Sequence, residues 1–394
     1  MSGVVRARVF YALALTVGAC GWGSFYAFST RYISQELRGG TPSVMLFNSA
    51  NWGFTLLAVF ASGLAKLLGE KRLVLLGILT GLPILLGGFV KDPVVLAPLL
   101  ASSALPWAVT WPAVLKAVFS RGGSALGREY AIFTLGSGTG FALGATLSGA
   151  LYALGGPQLV YLVIALLVSV PYPVYYAYYT TEAVRKAEGV SLRTHSFSLL
   201  KYTLVAVCLA SLSRELLYAQ GPTKISRELD ALVQGYGDWV HYALYGLIYS
   251  GGAVASPIVR VLGGRLVDKY GSRIVFIATI ASYATLYWLF IKTSGFIPLL
   301  LWQTPLYPIQ DTAISTHVAS LAPEPLRLHG LGLATTFTAL GGTLVALALA
   351  TGITEPNTVG CVVIIASAIA TALLLYEKKG FKQRQGAGGT GLIH

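Results

Sequence analysis

Twelve apolar stretches, each about the length of a membrane span, follow one another through 394 residues. A helix needs about 20 apolar residues to cross the hydrocarbon core of a bilayer. The stretches fall at roughly 9–29, 43–67, 73–90, 94–118, 130–153, 159–179, 199–219, 239–266, 274–291, 296–318, 329–351 and 359–376. Short connections join them and carry turn chemistry, as in Arg38-Gly39-Gly40-Thr41-Pro42, Lys91-Asp92-Pro93, Gly155-Gly156-Pro157 and Thr354-Glu355-Pro356-Asn357. Backbone groups in lipid must be satisfied within the chain, which makes helices the natural spanning elements. The pattern predicts an all-α integral membrane protein of twelve helices.

Composition agrees. Only 11% of residues are charged, against about 25% in a soluble domain, and mean hydropathy is +0.69. The net charge of +13 would suggest nucleic acid as partner of a soluble protein, but its distribution gives another reading. With the N-terminus inside, Arg31, Arg38, Lys91, Lys224, Arg227 and Lys292 fall outside and Arg214 within a span. The other 21 of 28 Lys and Arg fall inside. Positive charge marks the cytoplasmic side, so both termini are expected there. No basic-aromatic RNA motif or zinc spacing appears, so neither nucleic acid nor a cofactor is expected. Cys20, Cys208 and Cys361 stand alone in apolar runs and read as reduced packing residues. Arg6, Arg8 and Val17-Gly18-Ala19-Cys20 imitate a cleavable leader, but the apolar run continues to Phe28 and reads as the first span. The Tyr-rich end of span six, from Tyr172 to Tyr179, reads as an interfacial aromatic belt.

The two halves echo each other. Gly263-Gly264-Arg265-Leu266-Val267-Asp268-Lys269-Tyr270-Gly271-Ser272-Arg273 follows span eight, and a weaker copy, Ser62 to Arg72, follows span two. Trp111-Pro112 in span four matches Tyr307-Pro308 in span ten, and each of these spans holds three prolines. Residues 1–181 then form a first six-helix half, 182–198 a polar linker, and 199–394 a second half with a short basic tail. The eleven-residue loop resembles the signature loop of the major facilitator superfamily, Gly-x-Leu-x-Asp-(Arg/Lys)-x-Gly-x-(Arg/Lys). That resemblance covers nearly the whole chain. It implies two parallel repeats with a substrate site between them near mid-membrane. Asp268 would accept hydrogen bonds from a neighbouring helix N-terminus and, with Arg273 nearby, latch the cytoplasmic side. In the first copy Lys66 takes the Asp place, so that latch is expected to be lost or reversed. Small residues at Gly136, Gly140, Gly144 and Ser148 line one face of span five. This face is either the sliding seam against span eight or a static packing face. The prolines of spans four and ten either permit rocking or only shape packing.

Ionisable residues at membrane depth are costly and are functional candidates. Arg260 precedes Asp268 by eight residues, hence about 12 Å along a helix. Asp311 lies at similar depth in span ten, so the two could pair. Arg260 could equally be a snorkelling interfacial charge. Arg214 and Glu215 stand toward the outer end of span seven. Sequence neighbours point about 100° apart on a helix, so each is expected to seek a partner elsewhere. Asn48, Asn51 and Thr55 form a polar stripe, and Tyr26, Trp22, Trp107, Trp111, Trp302 and Tyr307 are central aromatics. His317 and His329 read as interfacial rather than as ligands.

Arg260-x-x-x-Gly264-x-x-x-Asp268 resembles span eight of the monocarboxylate porter and oxalate:formate antiporter families, whose Arg in this place binds a carboxylate. Tyr26-Ala27-Phe28-Ser29, Gly136-Ser137-Gly138-Thr139-Gly140 and Tyr307-Pro308 are similar to further pieces of those families. There are departures. Span eleven holds no Lys, which puts a dicarboxylate such as oxalate in doubt. Ser256 stands where monocarboxylate porters often carry Asp. The Lys near the end of span one is absent, with Arg31 one place on. The drug:proton antiporter motif of span five is missing.

The resulting expectation is a monomeric, multi-pass transporter of the cell membrane that moves a small organic anion, a monocarboxylate, by alternating access. Arg260, Tyr26, Asn51, Trp107, Trp111, Trp302 and Tyr307 are the binding candidates. Asp311, Arg214, Glu215, Asp268 and Arg273 are the coupling or gating candidates, with Asp311 a candidate proton carrier. A carrier of a neutral sugar or drug-like solute is the alternative. A membrane enzyme or sensor is disfavoured, because no His-Glu-x-x-His, carboxylate cluster or P-loop occurs.

Overall fold

The computed structural model describes residues 3–120, 126–179, 192–235, 244, 247–250, 252–322, 324–351, 353 and 355–388. Most of the linker, the start of predicted span eight, and Arg121, Arg185 and Lys186 of the inner basic set lie outside them. All regular structure among the described residues is helical. The helices are α1 (Gly3–Arg31), α2 (Gly40–Thr55), α3 (Ala61–Leu68), α4 (Glu70–Leu75), α5 (Gly81–Gly87), α6 (Pro93–Ala101), α7 (Ala104–Phe119), α8 (Leu126–Thr134) and α9 (Ser137–Ser169). They continue with α10 (Pro171–Ala177), α11 (Leu192–Leu232), α12 (Ser256–Tyr270), α13 (Ser272–Lys292), α14 (Phe296–Trp302), α15 (Leu306–Leu321), α16 (Glu324–Ala350) and α17 (Pro356–Gly388). Among the described residues nine helices are long and apolar enough to cross a membrane. They become ten if Leu247–Val254 and Ser256–Tyr270, bent by 42°, count as one.

Two further helical stretches are interrupted. A 3-10 segment, Leu76–Thr80, joins α4 to α5, and Gln303 to Pro305 separate α14 from α15. Proline chemistry explains the second break and its counterpart between α6 and α7. Pro106 has no N–H to give the Ser102 carbonyl, which accepts from Leu105 instead (3.1 Å). Near its middle α9 reverses at Gly155-Gly156, where φ is 64° at Gly156, so its two arms fold back on each other.

The repeated loops share one backbone. Gly69 (φ 80°, ψ 141°) and Gly271 (φ 87°, ψ 139°) turn the chain from α3 to α4 and from α12 to α13. Such positive φ favours glycine. At each turn a polar cluster ties the next residue to the far part of a proline-containing helix. Glu70 pairs with Lys116 of α7 (2.6 Å) and accepts from the Tyr179 hydroxyl (3.1 Å). Ser272 meets His317 Nδ1 of α15 (3.2 Å), whose Nε2 meets Glu377 of α17 (3.1 Å). Lys66 itself is exposed. The carboxylate expected at its place stands one helical turn on, at Glu70, so the first loop keeps an ionic anchor. His317 and His329 are buried and hydrogen-bonded, His329 to Ser62 (3.1 Å), rather than interfacial.

Packing corrects two sequence expectations. Gly136, Gly140 and Gly144 face α1, not α12: a Cβ on any of them would fall on Thr16 or Cys20. Ser24 Oγ donates to the Gly144 carbonyl (2.7 Å) at this contact. The face toward α12 is the opposite one. A Cβ on Gly138 would strike Ser256 and Ala253, and one on Gly264 would meet Ala131 Cβ at 2.8 Å and the Gly127 oxygen at 2.9 Å. Two positions along a helix turn through about 200°, so Gly138 and Gly136 cannot share a partner. The tyrosines of span six are not all a belt either. Tyr172 and Tyr175 on α10, and Tyr179 just past its end, are buried, and Tyr175 accepts at its carbonyl from the Tyr11 hydroxyl (3.0 Å).

Candidate functional site

Two buried arginine–carboxylate pairs collect around α15. Arg260 on α12 is 5% exposed, and its Nη1 lies 3.2 Å from Asp311 Oδ2. Its Nε donates to Ser256 Oγ one turn earlier (3.2 Å). The same Asp311 oxygen accepts from the Tyr130 hydroxyl of α8 (2.8 Å). Three helices from distant parts of the chain thus meet at one carboxylate. Arg260 is no snorkelling charge: its guanidinium is held inside.

Beside it, Arg214 on α11 is 3% exposed. Its Nε and Nη2 reach Glu215 Oε1 at 3.0 and 2.9 Å, Nη1 reaches Gln310 Oε1 (3.3 Å), and Nη2 reaches Ser211 Oγ (3.3 Å). The sequence expectation that these neighbours would not satisfy each other fails here. A 100° separation of Cβ directions is bridged by the length of an Arg side chain bending around the helix. The pair does lie toward one end of the apolar part of α11, Leu200–Gly221, as the sequence indicated. The guanidinium stacks over the Tyr307 ring, 5.1 Å from its centroid.

Tyr307 feels Asp311, Arg214 and Arg260 together. It is 41% exposed although charged side chains of three helices surround it, so it faces an opening between them. Asp311 (25%) and Glu215 (15%) keep part of their side chains exposed, whereas both arginine side chains are nearly closed off. On the other wall the Tyr26 hydroxyl donates to Asn51 Oδ1 (3.2 Å), and Tyr26 lies within electrostatic reach of Glu215. Trp22 stacks on Tyr26 (5.8 Å), meets Trp107 edge-on (6.5 Å), and Trp107 stacks on Trp111 (5.7 Å). Trp302 stands apart, packed on Tyr218 and Tyr249 with its indole N–H on the Tyr249 carbonyl (3.3 Å). Of the polar stripe on α2 only Asn51 joins the site. Asn48 is exposed and Thr55 bonds back to the Asn51 carbonyl (2.9 Å).

Asp268 and Arg273 lie elsewhere, at the Gly271 turn. Asp268 Oδ1 packs against Gly127 at the start of α8, 2.8 Å from where a Cβ would stand. It therefore meets a helix N-terminus, as the loop pattern implies. Among the described residues it forms no ion pair. The reading from sequence missed Tyr130, Gln310 and Ser211. Gln310 carried a signal, being a polar neighbour of Asp311 inside an apolar span, whereas Tyr130 looked like any aromatic at a helix start.

A bundle of apolar, membrane-length helices with paired charges buried at its centre is that of a multi-pass membrane protein. The sequence profile of the Major Facilitator Superfamily matches residues 10–346 and, in a second alignment, 203–391. The chain belongs to that family and is a transporter. Its fold is similar to the Escherichia coli fucose:proton symporter FucP (TM-score 0.69, 13% identity, covering 96% of this chain and 99% of that one). It is also similar to a bacterial homologue of the iron transporter ferroportin in an outward-facing state (0.67, 14%, 94% and 99%). The nucleoside transporter NupG is a third such structure (0.63, 14%, 95% and 99%). No curated protein sequence matches the chain.

Proposed function

We propose that the protein is a secondary active transporter of a small monocarboxylate in the cell membrane. The ten apolar spans, with the helical stretches 70–87 and 296–321, make twelve passes in two halves, 1–181 and 199–394, with both ends cytoplasmic. The observation that carries this reading is the placement of Arg260. Its guanidinium is buried in mid-bundle, and its counter-ion Asp311 keeps a quarter of its side chain exposed. An incoming carboxylate can take the place of Asp311 through charge-assisted hydrogen bonds. Protonation of Asp311 would free Arg260, so proton and anion binding become linked. Tyr130 holds the carboxylate in either state. The seams at Gly138 and Gly264 let the halves move across one another. Carboxylate uptake into liposomes tests the reading: Arg260→Gln should lose anion-dependent uptake, and wild-type rates in that variant would overturn it.

One observation favours a second reading. Both arginines are already neutralised by internal carboxylates, so charge balance does not demand a charged guest. Transport of a neutral polyhydroxylated solute, unaffected by competing carboxylates, would replace the first reading with this one.

A further inference from the structure

Arg260 is one of two buried guanidiniums at the centre, and a single carboxylate head engages only one of them. The other is placed to match it. Arg214 Nη1 bonds Gln310 (3.3 Å) and Arg260 Nη1 bonds Asp311 (3.2 Å). These are successive residues of α15, separated by about 1.5 Å of rise and about 100° of turn. The two cations therefore flank one helix at one depth, with Tyr307 within reach of both.

The hydrogen-bond accounting around Arg214 is incomplete in one direction only. Gln310 is fully buried; its oxygen is taken by Arg214 and its Nε2 has no partner. Flipping the amide would set NH2 against guanidinium N–H, so the orphan is the donor. A buried unsatisfied donor is expensive. One beside a buried cation calls for a ligand atom that only accepts. A carboxylate does this, and a neutral hydroxyl would bring a further proton needing a home.

We propose that Arg214 and Gln310 form a second anion subsite, so that the substrate is a two-headed anion with one carboxylate on Arg260 and the other on Arg214. This rests on the carboxylate reading of Arg260 and replaces its single-headed substrate with a two-headed one. The second cation comes from α11. Each head displaces one internal carboxylate, Asp311 or Glu215, and both of these side chains are partly exposed.

The test uses purified full-length protein and tryptophan fluorescence, since Trp22 stacks on Tyr26 at the site wall. Acetate and propionate are compared with malonate and succinate. A second charge-assisted contact should make the better dicarboxylate bind roughly tenfold or more tighter than the monocarboxylates. Arg214→Gln should lower dicarboxylate affinity far more than monocarboxylate affinity and so close the gap between the two classes. Gln310→Met, which leaves both arginines in place, should narrow the same gap and serves if Arg214→Gln does not fold. Equal wild-type affinities for the two classes, or a preference untouched by these variants, overturn the second subsite and leave Arg260 as a monocarboxylate site. Absence of any carboxylate binding overturns both.

Discussion

Replacing Asp311 with Asn separates the two roles of that residue. The variant keeps an oxygen to accept from Tyr130, which now stands 2.8 Å from Asp311 Oδ2, but leaves Arg260 without its counter-ion at 3.2 Å. Removing one partner of a fully buried pair costs about 3–5 kcal/mol. The Asp311 side chain is 25% exposed, and solvent screening reduces the figure to about 1–3 kcal/mol. That cost falls on the empty protein alone, because a bound carboxylate restores the pair. Substrate affinity should therefore rise by the same amount, about fivefold to a hundredfold at 1.4 kcal/mol per decade. The ligand-free thermal midpoint should fall by a few degrees and recover with ligand. In proteoliposomes the variant should exchange substrate downhill but no longer accumulate it against a gradient when driven by protons. Fluorescence titration with propionate measures the first effect and flux the second. Weaker or unchanged binding in Asp311→Asn would show that Asp311 does not compete with substrate for Arg260, and the coupling scheme would fall with it.

Gly138→Ala and Gly144→Ala should each cost about 1–3 kcal/mol of stability, because the added Cβ overpacks on Ser256 and Ala253 in the first and on Cys20 in the second. Melting curves check the cost, and flux per folded protein should fall further in Gly138→Ala, whose contact joins the two halves. At the loops, Lys66→Gln should be near neutral because Lys66 is exposed, whereas Glu70→Gln strands Lys116, whose side chain is only 3% exposed, and should lower the midpoint. Asp268→Asn should reduce flux more than Lys66→Gln, and equal flux would remove the latch. Beyond the apolar part of α11, Glu228 is desolvated, which raises its carboxyl pKa, but the Gly295 N–H (2.8 Å) and Arg227 outweigh this and hold it below the ordinary range. A depressed carboxylate stabilises the fold above its unfolded pKa of about 4.3 and stops doing so as pH falls through the folded value. The melting difference between wild type and Glu228→Gln should thus be present at pH 7 and close on acidification below about 4.

What the sequence determined by itself was whatever local chemistry governs. Runs of apolar residues set which segments become helices, because lipid tolerates no unpaired backbone. Gly69 and Gly271 placed matching turns, since positive φ is a property of one residue, and the prolines broke α6–α7 and α14–α15 by lacking an N–H. The depth of Arg260 and Asp311 could be counted along a helix for the same reason. Which side chains meet was decided only by tertiary structure. A shift of two residues sends Gly136 to α1 and Gly138 to α12, and no local rule gives the rotation of a nearly uniformly apolar helix. Arg214 reaches Glu215 by bending a long side chain, and Tyr130 reaches Asp311 across 181 positions of sequence. The orphan amide of Gln310 exists only as an outcome of that packing: its oxygen found Arg214, and its nitrogen was left without a partner beside the guanidinium where a second anionic head is proposed to bind.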